Sequence, residues 1–390
     1  MKKLKKEVVK ELNQHILPFW MKLKDEENGG FYGVVDYELN IDKGANKGGI
    51  AITRFLWSFS AACRITKKEE YLEYAHHAFN FLKTKVYDCK HKGLYWMLDY
   101  VGNPIDTRKH IYTQAFGIYA LSEYYRITNS NEALELAKEL YNLIETKGYS
   151  DERNAYMEEF NREWIETTNE MLSENGVLAD ITTNTHLHII EAYTNLYRVW
   201  QSKELEDRLI NLIDIFYERI FNKKTKSLGV FFDRNWNEIL DLKSFGHDIE
   251  ASWLIDETLK LLEMEKEEFI NMVVDIAYNT ADIAIQEDGS IINEKECDRT
   301  DYTRVWWGQA EAMVGFLNAY ERTGDKRFLY LVKGLWGYTK DYVIDKRDNS
   351  EWFWSVESNG RPTKREIAEP WKTPYHNTRF CLEIIERVKE

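Results

Sequence analysis

Helical periodicity recurs along this chain in pairs of segments joined by short polar turns, and no other feature limits its possible folds so tightly. The first pair runs from GIAITRFLWSFSAACRIT across KKEE into YLEYAHHAFNFLKTKV. The second starts at His110 with HIYTQAFGIYALSEYYRIT, turns at NSNE and continues as ALELAKELYNLIETK. A third opens near Asn184, where Ile189, Tyr193, Leu196, Tyr197 and Trp200 keep helical spacing; its partner covers Lys203 to Phe221. The fourth opens at His247, with Ala251, Leu254, Ile255, Thr258, Leu261 and Leu262 on one face. The fifth opens at Trp306 and returns, after ERTGDKR, as far as Val343. Of a sixth there is one half, YHNTRFCLEIIERV, and a helix from Leu4 to Leu23 is the expected partner.

Five complete hairpins and a split sixth describe a closed ring in which the terminal helices pair, in place of an open solenoid. The openings lie near residues 50, 110, 184, 247, 306 and 375, about 60–75 residues apart and longer than common solenoid repeats. The extra length holds Gly/Asn turns and aromatic pieces: GLYWMLDYVGNPID, SLGVFFDRNWNEIL, GSIINEKECD and SEWFWSVESNG. These read as short β-hairpins at one end of the ring. No Pro/Ser-rich linker interrupts the chain, so the expectation is one all-α domain over residues 1–390, an (α/α)6 barrel. A chain of this size buries roughly 75% of its unfolded surface and needs no staple.

Charge and cysteine content narrow the partners. With 52 basic against 66 acidic side chains the net charge is −14, which argues against nucleic acid or an anionic membrane as partner. No apolar run approaches the ~20 residues that cross a bilayer. The basic N-terminus is broken by Glu7 and Glu11 and reads as an amphipathic helix, not a signal peptide. Cys63, Cys89, Cys297 and Cys381 are scattered, so no zinc knuckle or disulfide framework is implied, and a cytoplasmic location is expected. A monomer is the expected state. Aromatic residues reach 14%. Most must serve the core, but a cleft for sugars also needs flat rings against which pyranose C–H faces stack.

In such a ring the first residues of each inner helix converge at one end of the lumen. Those openings are polar: Thr53-Arg54, His110-Ile-Tyr112, Asn184-Thr-His186-Leu-His188, His247-Asp248-Ile-Glu250, Trp306-Trp307 and Tyr375-His376-Asn377. Five of the nine histidines fall there. Asn184 and His188 share a helical face, as do His247 and Glu250, where the carboxylate could orient the imidazole or bind a hydroxyl, and His376 and Arg379. A histidine in a first helical turn is held neutral by the dipole, as a base near pH 7 requires. His186 and His188 make a poor metal pair, because alternate helical residues diverge and no HExxH-type partner is present. Carboxylates such as Asp106, Glu250 and Glu311 keep a glycosidase in view. No phosphate-cradling loop or dinucleotide fingerprint is present.

The segments NTHLHIIEAYTNLYR, SFGHDIEASWLIDE, RVWWGQAEAMVGFLNAY and EPWKTPYHNTRFCLEII resemble the N-acylglucosamine 2-epimerase superfamily, and specifically its branch acting on disaccharides. The likeness runs from ILPFW…GGFYG through KHIYTQAFGIYALSEYY to the C-terminus. It implies an (α/α)6 barrel, no cofactor, and interconversion of reducing-end glucose and mannose in β-1,4-linked disaccharides such as cellobiose and lactose. Carried over residue by residue, it implies His247 and His376 as the acid/base pair, His188 beside the reacting carbons and Arg54 on the developing oxyanion. It further implies Tyr112, Asn184 and Glu250 as hydroxyl-binding groups, and Trp371 with Trp306 or Trp307 as the stacking platform.

The residue types suit the chemistry. Ring opening places the C2 proton beside an aldehyde, so a base can remove it to give an enediolate and an acid can return one to the opposite face. Histidine already titrates near neutrality, and the enediolate oxygens call for cationic donors. Rival expectations are an aldose–ketose isomerase, which returns the proton to C1, an N-acylglucosamine 2-epimerase, which prefers an acetamido group, and a non-catalytic oligosaccharide-binding protein.

Overall fold

The computed structural model describes residues 1–171 and 176–389. Six inner helices form a closed ring: Gly49–Thr66, Ile111–Thr128, Thr183–Tyr197, Phe245–Leu261, Trp306–Thr323 and Tyr375–Arg387. Each packs on the next, and the sixth packs back on the first. Their sequences are apolar nearly all round, as helices covered on every side must be; in the second, every residue from Ile111 to Tyr124 is buried. The outer helices carry only a stripe. Glu70–Phe81 buries Tyr71, Ala75, Ala78, Phe79 and Phe81, at the spacing of one helical face. The other outer helices are Asn131–Leu143, Lys203–Ile215, Glu267–Ile283, Lys326–Tyr338 and, for the split hairpin, Lys2–Glu11, which continues through a π turn to Met21. That first helix packs on Tyr375–Arg387, and Lys5 Nζ donates to the Val388 carbonyl at 2.6 Å. The six expected openings are therefore met within two residues. The second helix of the fourth pair, Glu267–Ile283, lies where no apolar stripe had been assigned.

In three of the hairpins the reversal is tight because the inner helix ends in a left-handed residue: Lys67, Asn129 and, where no Cβ penalty arises, Gly324 at φ 72°. The residues just before an inner helix form a short strand that pairs with the segment following the same hairpin's outer helix. The pairs are Lys47–Gly48 with Met97–Leu98, Lys109–His110 with Glu159–Phe160, and Ile181–Thr182 with Phe231–Phe232. Leu242–Ser244 with Glu294–Glu296 and Arg304–Val305 with Ser355–Val356 continue the series. Two of the expected hairpins close on themselves, at 97–106 and 294–301; the other two do so through single bridges, Phe232 to Glu238 and Val356 to Pro362.

One turn into four of the inner helices, a polar side chain braces this belt. Gln114 accepts from Leu94 N–H and donates to its carbonyl at 2.7 and 3.0 Å, and Gln309 does the same at Ile291. His186 and Asp248 accept from Tyr156 and Leu228 N–H. At the opposite end of the barrel a circuit of polar contacts joins every neighbouring pair of inner helices. It runs Arg64–Glu123, Arg126–Asn195, Arg198–Glu257, Asp256–Arg322, Asn318–Arg387 and Glu386–Arg64. Among the described residues no helix is long and apolar enough to cross a membrane.

Candidate functional site

The lumen is built in layers. The second residues of the inner helices, Ile50, Tyr112, Asn184, Gly246, Trp307 and His376, face the strand end. Four positions on, and so on the same face, come Arg54, Phe116, His188, Glu250 and Glu311, joined from the sixth helix by Arg379, three after His376. This periodicity explains how residues hundreds apart in sequence meet.

His376 and His247 both lie against Trp307, with ring centroids 5.6 and 4.8 Å from the indole. One Nδ1 is tied in each: His376 to Glu311 at 2.7 Å, His247 to the Ser244 hydroxyl at 2.7 Å. Neither Nε2 has a partner among the described residues. His376 is buried and His247 half-buried. Burial presses both imidazoles toward the neutral form, His247 down to about 3 with His188 adding, and His376 well below its usual range with Arg379 adding. Trp307 can lean between them because Gly246 offers no side chain; a Cβ there would stand 2.4 Å from the indole. Trp306 is turned the other way, buried against Trp354 and beneath the Lys372 ammonium. Of the two expected platform residues, Trp307 is the one on the lumen side.

Arg54 is a buried cation with no carboxylate partner among the described residues. Its guanidinium donates to Tyr112 Oη at 2.8 Å and to the Trp371 carbonyl at 3.0 Å, and lies over Phe116 at 4.4 Å and Tyr375 at 5.1 Å. Trp371 is half-buried, against Trp96 and Tyr112. Burial pushes the Tyr112 phenol up to about 12. His188 packs edge-on to Tyr112 at 4.9 Å, its Nδ1 bonded to Glu191 at 2.8 Å. Asn184 is half-buried, and its side-chain oxygen has no partner.

Beneath these groups three carboxylates surround one guanidinium. Arg379 pairs with Glu191 and Glu250 and, at 2.7 Å, with Glu311. Burial raises Glu250 and Glu311 to about 7, and Glu250 also feels the Glu311 charge. Glu191 is held below its ordinary value: burial opposes the shift, but Arg379 and His188 outweigh it. Glu250 therefore does not orient His247, as its spacing had suggested; it anchors Arg379 and leaves its second oxygen unpartnered. Glu250, Glu311 and His376 are the one group of ligand-type side chains close enough for a metal among the described residues, and the Arg379 cation is paired with both carboxylates.

Two of the five histidines at the openings leave the lumen. His186 donates from Nδ1 to the Thr182 carbonyl and accepts Tyr156 N–H at Nε2, so it cannot ligate beside His188. His110 accepts Tyr112 N–H and contacts Asn169. Asp106 pairs with Arg108, which also binds Glu159, and not with the Arg379 that holds Glu250 and Glu311. Sequence reasoning missed Glu191, Phe116 and Ser244 and named Tyr375 only as part of a polar opening; the spacing of His188 and Glu191 was the available signal for the first.

The chain belongs to the N-acylglucosamine 2-epimerase (GlcNAc 2-epimerase) family, whose model it matches over residues 29–379. Within that family it is 44% identical to a cellobiose 2-epimerase of Dictyoglomus turgidum over the whole of both chains, and 46% identical to one of Ruminococcus albus over 98% of each. The solved structure of the cellobiose 2-epimerase from Bacillus thermoamylovorans B4167 shares 61% identity, covers all of both chains and superposes with a TM-score of 0.98.

Proposed function

We propose that this chain epimerises C2 of the reducing-end sugar in β-1,4-linked disaccharides, converting cellobiose to glucosyl-mannose and lactose to epilactose. The reaction class follows from the family and from relatives at 40–46% identity over nearly their whole length. The observation that carries the mechanism is the pair of imidazoles on Trp307, each with Nδ1 tied and Nε2 free, close to a buried arginine that no carboxylate neutralises.

On this reading one of His247 and His376 takes the C2 proton at Nε2 once the sugar ring has opened. The other, which must first take up a proton against the burial that favours its neutral form, delivers that proton to the opposite face. Removal leaves an enediolate whose negative charge Arg54 and His188 stabilise, in a site with little water to compete. The proton lost from carbon is the proton gained by one histidine, so no redox partner or cofactor enters the balance. Tyr112, Asn184 and Glu250 bind hydroxyls, and Trp307 and Trp371 stack on the rings. The reaction would take place in the cytoplasm, with a monomer as the working unit and neither nucleic acid nor membrane as a partner.

Proton NMR of cellobiose incubated with the protein in D₂O tests the proposal. The expected product has a mannose-type reducing residue whose C2 proton is replaced by deuterium. An unchanged substrate, or a product protonated at C2, refutes it.

A further inference from the structure

Resting on that reading, we infer that Ser244 is a positioning residue for His247, its hydroxyl fixing which ring nitrogen faces the sugar. Ser244 occupies the N-cap of the fourth inner helix. A serine there ordinarily turns its oxygen back onto a backbone N–H of the first turn. Here it makes no such cap, and its Oγ stands 2.7 Å from His247 Nδ1 instead. Thr182 opens the third inner helix and does accept from Thr185 N–H at 3.1 Å, so a capping geometry is available in this barrel and Ser244 departs from it.

The other two lumen histidines show what the contact does. His188 and His376 each bond through Nδ1 to a carboxylate, Glu191 and Glu311. A carboxylate that accepts at this contact holds a proton on Nδ1, so that Nε2 carries the lone pair in the neutral ring and an N–H in the imidazolium. Glu250, three residues after His247, would be the counterpart, but its bound oxygen is committed to Arg379. The Ser244 hydroxyl fills that place. A hydroxyl can accept from Nδ1–H or donate to a bare Nδ1; on this inference it accepts, which leaves the Nε2 lone pair for the C2 proton and keeps the same bond when the ring becomes imidazolium. Without it, the half-buried ring is free to carry its proton on Nε2, where it cannot act as base, and to rotate against Trp307.

Ser244→Ala and Ser244→Thr test this, read against His247→Ala. Ser244→Ala is expected to lower kcat on cellobiose about tenfold, the worth of one positioning hydrogen bond, with KM within twofold. The thermal midpoint should hold, since no cap is lost. Nitrogen NMR of ring-labelled histidine should show His247 shifting from the Nδ1–H to the Nε2–H form, and Ser244→Thr should restore both kcat and the tautomer. A kcat for Ser244→Ala within twofold of the parent, or an unchanged tautomer, overturns the inference. If His247→Ala itself stays active, the acid/base reading fails instead, so the two failures are distinguishable.

Discussion

Gly246→Ala adds one methyl group and titrates nothing, yet it should damage both stability and turnover. In an ordinary helix the exchange stabilises by roughly 0.5–1 kcal/mol. Here the new Cβ would lie 2.4 and 2.5 Å from Trp307 ring carbons. Carbon atoms rest at about 3.5–4.0 Å, so the indole must retreat by about 1 Å or more. Overpacking of this kind costs about 1–3 kcal/mol, and the net expectation is a loss of about 1–2 kcal/mol. Because Trp307 touches both imidazoles, its retreat also moves the surface against which they are set. A displacement of that size at a catalytic centre costs on the order of 10²-fold in kcat/KM. Thermal unfolding and initial rates on cellobiose read the two effects separately. Gly315→Ala is the control: its Cβ would meet Ile249, 2.5 Å from the side chain and 2.7 Å from the carbonyl, so it should unfold more readily while surviving molecules keep normal kcat. A Gly246→Ala protein as stable as the parent and active within twofold would show that Trp307 has slack, and the argument about its placement would be wrong.

His247→Ala and His376→Ala should each lower kcat by about 10²-fold or more with near-native circular dichroism, since acid/base groups contribute on that scale; activity within tenfold of the parent removes that residue from the mechanism. Asp248→Asn should raise stability in a pH-dependent way. Burial lifts this carboxyl from 3.8 to about 7, so as pH rises through that window the unfolded chain gives up its proton before the native one does. The parent therefore loses stability from about pH 4 to 7 relative to the variant. The thermal midpoints should agree near pH 4 and diverge in favour of the amide variant by about pH 8, and a gap constant with pH would contradict the assignment. Arg64→Ala strips one of two arginines from buried Glu123 and opens the polar circuit at the far end, so it should cost about 1–3 kcal/mol while kcat at moderate temperature stays within twofold. Heat inactivation alongside initial rates measures both.

The ring was legible because its inner helices are long, apolar and regularly spaced, and because Tyr375–Arg387 had no partner except the N-terminal helix. The polar openings pointed to the end of the lumen where His188, His247 and His376 gather. Three of five histidines there face it; spacing alone could not separate them from His110 and His186, which accept from or donate to backbone groups, and only the family resemblance singled out His188, His247 and His376. Helical spacing suggested that Glu250 would hold His247. That inference failed because spacing within one helix says nothing about Arg379 arriving from another, with a charge that outweighs a neutral imidazole. The choice between Trp306 and Trp307 turned on Gly246, whose missing side chain admits only the second.

The helix that closes the ring, Tyr375–Arg387, is synthesised after the other five inner helices, and it carries His376 and the arginine that pairs with Glu191, Glu250 and Glu311. Until it docks the ring is open: Glu191, Glu250 and Glu311 lack Arg379, and Trp307 lacks the His376 ring. On the proposed roles, a translation product cut short before Tyr375 should be unable to rearrange sugars however well its earlier hairpins had formed.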